Sequence, residues 1–485
     1  MVALLAATAL SAPRAEAQLV PTLETKLGAP GGDLGGLLAA SLAIGGDVAV
    51  VGSPNAAVGG AAFTGSAYVF RRSGGAWTFA ARLIASTAAI GDELGISVAV
   101  SGDTIVAGAW LADSAGGSSG AAYVFVEPPG GWSGTLTETA RLLPSDGAGG
   151  NRFGHAVAIS ADTIAVGAHG YGAGSDNTGA VYVFTRPGGG WAGTIAESAR
   201  LASSDAESLD ELGWAVAIDG DVIVASNPVD DYGGDGSGSG YVYVRPPGGW
   251  SGVLTESAKL DDADVDAIDF LGYSVGVSGD TVVLGAPFDA TVGGSVAAYV
   301  FVEPAGGWAG ALTHDAKLQG SDGPQNQQEA VSVAIAGDAV LMGVPLHDEL
   351  GTNSGSVYLF LEPEGGWAGT QHETLELHAP DAEAGDHFGE NVAISGSRLL
   401  VAAPLDDPTP TTDGSVYVFT LPLDACVTDP DPACGTPAVP AAAAWPRLLL
   451  ALILLAAGAG RIARPWAHRA GSPATSSSSR RASST

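Results

Sequence analysis

The sequence predicts an all-β protein, a seven-bladed β-propeller of four-stranded blades closed by a strand from the N-terminus. Three observations predict it. Glycine supplies 72 and proline 28 of the 485 residues, too many breakers for a helical chain and well suited to short strands joined by turns. A hairpin-turn position recurs at Asp47, Asp103, Asp162, Asp221, Asp280, Asp338 and Ser397, in steps of 56, 59, 59, 59, 58 and 59 residues. A tyrosine column (Tyr68, Tyr123, Tyr182, Tyr241, Tyr299, Tyr358, Tyr417) keeps the same period. A tryptophan follows nine residues after each of the first six (Trp77, Trp132, Trp191, Trp250, Trp308, Trp367). Repeats of this size are stacked or radial.

Each unit reads as four strands. Ser-Val-Ala-Val ends at Ser-Gly-Asp, and Thr-Ile-Val-Ala-Gly-Ala follows, a tight hairpin. The third strand is Gly179 to Phe184 in one copy; a Pro-Gly-Gly-Gly-Trp loop then leads to the fourth, Glu197 to Leu201. The fourth strand is marked by Lys or Arg before Leu, at Lys26, Arg82, Arg141, Arg200, Lys259 and Lys317, with Glu376 in the seventh place. The first marker precedes the first hairpin, and the last repeat stops at its third strand near Phe419. Leu23 to Leu27 is therefore expected to complete the final blade beside Val416 to Thr420, closing the ring and removing an exposed edge. A linear solenoid would need atypical capping repeats, and none is evident.

Composition excludes several functions. Acidic residues outnumber basic ones 52 to 19, a net charge of −33, which repels phosphate backbones and excludes nucleic acid as a partner. Two cysteines exclude a disulfide scaffold. The 46% hydrophobic content argues against global disorder.

The ends read as addresses. Residues 1–17 suit a signal peptide, with an apolar run from Val2 to Ala12 and a small-x-small site at Ala15-Glu16-Ala17; a frayed N-terminal helix is the competing reading. The propeller is expected over 18–422, a Pro/Cys spacer over 423–438, a hydrophobic membrane or sorting segment over 439–464, and a basic, Ser-rich disordered tail over 465–485. Cys426 and Cys434 could form a small disulfide loop. As a helix, Leu448 to Gly460 reaches only ~20 Å against a bilayer core of ~30 Å, and Arg461, Arg464, Arg469, Arg480 and Arg481 suit a cytoplasmic flank. The layout Val439-Pro440, Trp445, Leu448 onward and Arg461 resembles the C-terminal sorting tails of bacterial surface proteins of the PEP-CTERM and IPTL-CTERM types. That resemblance implies an exported protein anchored at the cell surface or envelope by this segment, or released after processing.

Within the repeats, Phe153-Gly154 goes with Gly167-Ala168, Leu212-Gly213 with Asn227-Pro228, Leu271-Gly272 with Gly285-Ala286-Pro287, and Phe388-Gly389 with Ala402-Ala403-Pro404. These pairs resemble the FG-GAP repeat of integrin-α-like propellers over residues 19–421. The resemblance implies a monomeric propeller for extracellular recognition or adhesion, with a protein or glycan as ligand. The family's calcium loop, Asp-x-Asp-x-Asp-Gly, is reduced here to turns such as Ser101-Gly102-Asp103. One carboxylate falls short of the 6 to 8 oxygens calcium takes, so no cofactor is required; Ca2+ stays possible, but without the family's loop to hold it.

Acid collects instead in the loops before and after each hairpin, which emerge on one face. The candidate ligand- or cation-binding residues are Asp205, Asp210, Asp230, Asp231, Asp235, Asp264, Asp269, Asp289, Asp386, Asp406 and Asp407. For a metal the best sets are Asp205 with Asp210, or Asp230, Asp231 and Asp235. Three readings compete: turn-capping and solubility, divalent-cation sites, and attraction of a basic ligand. The tryptophans are expected to pack against their own blades rather than stack sugars. Eight histidines are scattered, and no His-Glu-x-x-His, Gly-x-Ser-x-Gly or phosphate loop appears. The expected function is recognition or adhesion, not catalysis; the alternatives are a purely structural envelope component or a polysaccharide hydrolase or lyase.

Overall fold

The computed structural model describes residues 20–28, 39–172, 176–231, 236–261, 265–289, 295–321, 332–406 and 414–422. The expected signal peptide, spacer, hydrophobic segment and tail, with Cys426 and Cys434, lie outside the described residues. Among the described residues no helix is long and apolar enough to cross a membrane.

Seven sheets form seven blades. Their inner strands are Ser41–Gly45, Val98–Ser101, Val157–Ser160, Val216–Asp219, Ser274–Ser278, Ser332–Ala336 and Val392–Ser395. Each inner strand abuts the next, and the seventh abuts the first, so the ring is closed. In blade 3 the order runs Val157–Ser160, Thr163–Gly167, Val181–Thr185, Ala199–Ala202. These strands are apolar on both faces because a blade lies on each side. Val157, Ile159, Ile164 and Val166 enter the core shared with blade 2, while Ala158, Ala165, Val181 and Val183 enter the core shared with blade 4. The larger face of each blade thus packs on the smaller face of the blade before it, which fills the space between them.

The closing strand is where the sequence places it. Thr22–Leu27 runs antiparallel to Ser415–Thr420, with Lys26 opposite Tyr417 and Leu27 opposite Val416. Leu27 is buried, whereas Leu23 is 38% exposed and adds little to the core.

Blades were expected to have four strands, but five of the seven have a fifth. Gly134–Thr137, from the tryptophan loop of blade 2, runs parallel along the outer strand of blade 1. The same lacing recurs for Gly193–Ile195, Gly252–Thr255, Gly310–Leu312 and Gly369–His372, each against the preceding blade. An outer strand otherwise presents unpaired N–H and C=O groups, and the lace satisfies them. Blade 1 sends none because only five residues separate Trp77 from Arg82, where nine separate Trp132 from Arg141. That shortfall leaves blade 7 four-stranded. Among the described residues blade 6 also has four strands, the last repeat being described only through its third strand.

Four of the five laces end in the same clasp, and the lace Gly310–Leu312 has His314 in place of the glutamate. Glu138 accepts the Ser86 N–H at 2.8 Å and the Ser86 hydroxyl at 2.5 Å. Glu197 with Ser145, Glu256 with Ser204, and Glu373 with Ser321 repeat it. The tryptophans are 4–8% exposed, but they do not pack only on their own blades. Trp132, Trp191, Trp250 and Trp367 each sit in the core shared with the preceding blade.

The Phe-Gly and Gly-Ala motifs are the inner joints. Gly154 donates its N–H to Gly167 O at 3.0 Å within blade 3. A Cβ on Gly108 of blade 2 would stand 1.8 Å from Gly154 O, so backbone meets backbone between blades and only glycine fits.

Candidate functional site

The tyrosine and Lys/Arg columns turn out to be one unit. They are direct cross-strand partners: Lys26 with Tyr417, Arg82 with Tyr68, Arg141 with Tyr123, Arg200 with Tyr182, Lys259 with Tyr241, and Lys317 with Tyr299. In blade 6 Tyr358 faces Glu376. Several rim carboxylates close on these pairs. In blade 4, Lys259 Nζ lies 2.5 Å from Asp205 and 2.8 Å from Asp230, and the Tyr241 hydroxyl donates to Asp230 at 2.7 Å. In blade 5, Lys317 Nζ is 2.5 Å from Asp289, which also accepts from Tyr299 at 2.9 Å. In blade 7, Lys26 bridges Asp381 at 2.8 Å and Asp406 at 2.6 Å.

Buried charges persist only when paired and hydrogen-bonded. Burial would raise Asp205, but hydrogen bonding to Lys259 and its charge outweigh that and hold the carboxyl below its ordinary range. Burial and the Asp230 charge push the Tyr241 phenol far up. Asp205, Asp230, Asp289 and Asp406 thus already hold an ammonium supplied by the chain.

The inner aspartates of the 4-to-1 loops accept backbone N–H groups three residues upstream. Asp210 takes Glu207 at 2.6 Å, Asp269 takes Asp266 at 2.8 Å, and Asp386 takes Glu383 at 2.7 Å. Asp231 accepts from Gly236 at 2.8 Å, closing the 2-to-3 turn. The Asp210 carboxyl is pushed up to about 6 by burial and by the fields of Asp230, Asp205 and Glu207, against the Glu207 hydrogen bond. Asp235, Asp264 and Asp407 lie outside the described residues.

Where the inner strands begin, an aromatic arc crosses blades 2 to 5. His155 packs 4.4 Å from His169 and 5.4 Å from both Trp110 and Trp214, and Trp214 packs 5.8 Å from Tyr273. Arg152 reaches His169 Nε2 at 3.0 Å and lies over Trp110. Burial takes His155 down to about 3 against its hydrogen bond to the Trp214 carbonyl, and holds His169 well below its ordinary value. Burial also raises Glu211 to about 7, opposed by Arg152. The arc is packed shut: His155 and His169 are at most 1% exposed.

No sequence pattern marks the rim's exposed apolar side chains. Phe63, Ile90, Leu209, Ile268 and Leu350 all protrude from 2-to-3 or 4-to-1 loops. Leu209 and Ile268 do so at φ 77° and 76°, in the left-handed region. At the equivalent position other blades carry Gly91, Gly150 and Gly385, at φ 86°, 87° and 96°, with open space where a side chain would begin.

Comparison with known proteins adds the family. The FG-GAP repeat profile matches residues 77–125, 136–184, 195–243, 254–301, 312–360 and 372–419, more than half of the chain. The chain belongs to the FG-GAP repeat family. Each FG-GAP match runs from one blade's tryptophan region to the third strand of the next, so six matches and the unmatched first copy make up the seven blades. No curated protein matches the chain. Among solved structures it is similar to a candidate 6-phosphogluconolactonase from Bacteroides fragilis NCTC 9343, at 12% identity and a TM-score of 0.42, over 75% of this chain and 91% of that one.

One FG-GAP blade breaks the pattern. In blade 6, His347 replaces the aspartate that is Asp230, Asp289 or Asp406 elsewhere, and Glu376 replaces the Lys or Arg. His347 Nδ1 lies 3.1 Å from Glu376 and 2.7 Å from the Ser356 hydroxyl. His378 Nε2 lies 3.5 Å from Glu349 and 3.7 Å from Glu376. The histidines had looked scattered; the odd Glu376 in the marker column was the available signal.

Proposed function

We propose that this FG-GAP propeller is a non-catalytic recognition module that docks a protein on its acidic rim face, exported and held at the cell surface. One observation carries the reading: Leu209 and Ile268 sit exposed in a backbone conformation that favours glycine. A left-handed L-residue costs roughly 1–2 kcal/mol, and a β-branched one is a genuine outlier. Three blades meet the same turn with glycine, and a side chain there enters open space. Leu209 and Ile268 keep 53% and 44% of their surface in solvent despite that cost, and strain of this kind clusters at binding sites. Apolar anchors in a strongly acidic field suit a protein partner that presents apolar and basic groups together.

The test is a screen of the full chain against immobilised proteins and glycans, run in parallel with a Leu209→Gly/Ile268→Gly double variant. The variant should be more stable by about 1 kcal/mol and should lose the protein hits that wild type gives. Protein hits retained equally by both, or none from wild type, would leave a purely structural role. Turnover of a glycan would point to the hydrolase. The cellular part is tested separately by fractionation, where full-length protein free in the cytoplasm would end it.

A further inference from the structure

The exceptional blade points to a site of its own. In six blades the position facing the column tyrosine is Lys or Arg, and in blades 4, 5 and 7 the Lys there is held by rim aspartates. Blade 6 inverts this arrangement. Its strand position is a carboxylate, Glu376, and the groups closing on it are His347, from the place of the aspartate, with Glu349 and His378. One donor atom from each of His347, Glu349 and Glu376 lies within 4.8 Å of the others. His347 is 3% and Glu376 22% exposed at the side chain, while Glu349, at 51%, stands at the mouth.

We propose that blade 6 holds a divalent transition-metal ion of the zinc type, bound by His347, Glu349 and Glu376 with His378 as fourth donor, in the place an ammonium takes in blades 4, 5 and 7. The donor set argues for this class. Two imidazoles with two carboxylates suit zinc, whereas calcium takes oxygen alone. With neutral imidazoles the four groups carry two negative charges, which one divalent ion balances. A tetrahedral ion with bonds near 2.1 Å holds its ligands roughly 3.4 Å apart, so the three close donors need to draw in by little more than an ångström. Ser356, 3.1 Å from His378 Nδ1, is placed to orient that ring with its Nε2 toward the carboxylates, and would release its contact with His347 Nδ1 when that nitrogen takes the ion.

The experiment uses the full chain, stripped with EDTA and dialysed, with Zn2+ alone as probe in competition with a chromophoric chelator, and thermal unfolding as second readout. Wild type should bind a single Zn2+ tightly and unfold at higher temperature with it. Outer-shell changes at zinc sites cost ~10–100-fold in affinity, so His347→Ala, which removes a ligand, should cost at least ~100-fold. Glu376→Lys restores the residue type of the other blades opposite Tyr358. It should stay folded, bind Zn2+ no better than His347→Ala, and show no zinc-dependent shift in unfolding. Equal binding by wild type and Glu376→Lys, or none by either, overturns the site. Zinc held equally by both belongs to the general acidic surface.

Discussion

The seams between blades are not built alike. From blade 1 to blade 6, each seam is laced on the outside by a parallel strand from the following blade. Among the described residues the closing seam, between blades 7 and 1, has no lace. There Glu24, on the closing strand, accepts from Trp77 Nε1 at 2.7 Å and Arg72 Nε at 3.0 Å in blade 1, and from the Thr420 hydroxyl in blade 7, with Arg398 at 3.7 Å. The other column tryptophans, Trp132, Trp191, Trp250, Trp308 and Trp367, bury their indole N–H without an acceptor among the described residues. Asn391 adds two hydrogen bonds to the carbonyls of Ala39 and Ala40 across the same seam. Inner-strand packing is common to every seam. What covers the outside is backbone where the chain runs on into the next loop, and side chains where it cannot.

That contrast can be broken in order of effect. Deleting residues 18–28 should cost several kcal/mol, since a ladder of hydrogen bonds at ~1 kcal/mol each goes with buried Leu27. Deleting 472–482 should cost nothing measurable in thermal unfolding of the full chain. An unchanged transition after the first deletion would show that the ring does not depend on the strand.

Glu24→Ala should cost about 2–3 kcal/mol in urea unfolding, because it leaves Trp77, Arg72 and Thr420 without their shared acceptor. A loss no larger than that of the lace variant below would remove the special standing of the closing seam.

Acid should attack the other side of the ring, where His155 and His169 pack between blades 2 and 4. Their folded values lie below the unfolded value, so the unfolded chain binds more protons between the two. Stability is then fully present above about pH 6.5 and falls as pH drops toward about 3, by about 2 kcal/mol at about pH 5 for His155 alone. Glu211 acts in the opposite sense, its contribution being lost as pH rises through about 7. The difference between wild type and His155→Gln, followed as the urea midpoint against pH, isolates the imidazole. A pH-independent difference would mean that His155 is not held neutral.

Glu138→Ala, which opens one clasp, should cost only about 0.5 kcal/mol, because the Ser86 pair is near the surface and the backbone of the lace remains. A loss of several kcal/mol would make the clasp, not the backbone, the fastening.

Blade count, strand order and ring closure were legible in the sequence because each rests on a pattern that repeats along the chain. The columns set by the Gly-Asp turns, the tyrosines and the Lys/Arg-Leu markers place Lys26 in the last blade by their period alone. The laces were half legible. The five-residue Trp77–Arg82 spacing signals a missing piece, yet its pairing partner lies on another blade, and no local pattern names it.

The candidate site divides in the same way. Composition and period put aspartates on one rim. Only the juxtaposition of blades brings Asp205 onto Lys259, 54 residues away, and so turns a candidate cation ligand into the partner of an internal ammonium. The same juxtaposition gathers His155, His169, Trp110 and Trp214 into one buried arc, while within blade 6 the outer strand meets the 2-to-3 loop and brings His347, His378, Glu349 and Glu376 into one cluster. The sequence by itself determined what recurs, since hairpin turns and apolar alternation act over a few residues. Tertiary structure alone decided which charges meet and which glycine positions carry strained, exposed aliphatics, since those depend on neighbours about thirty to sixty residues apart and on a backbone angle that composition does not encode.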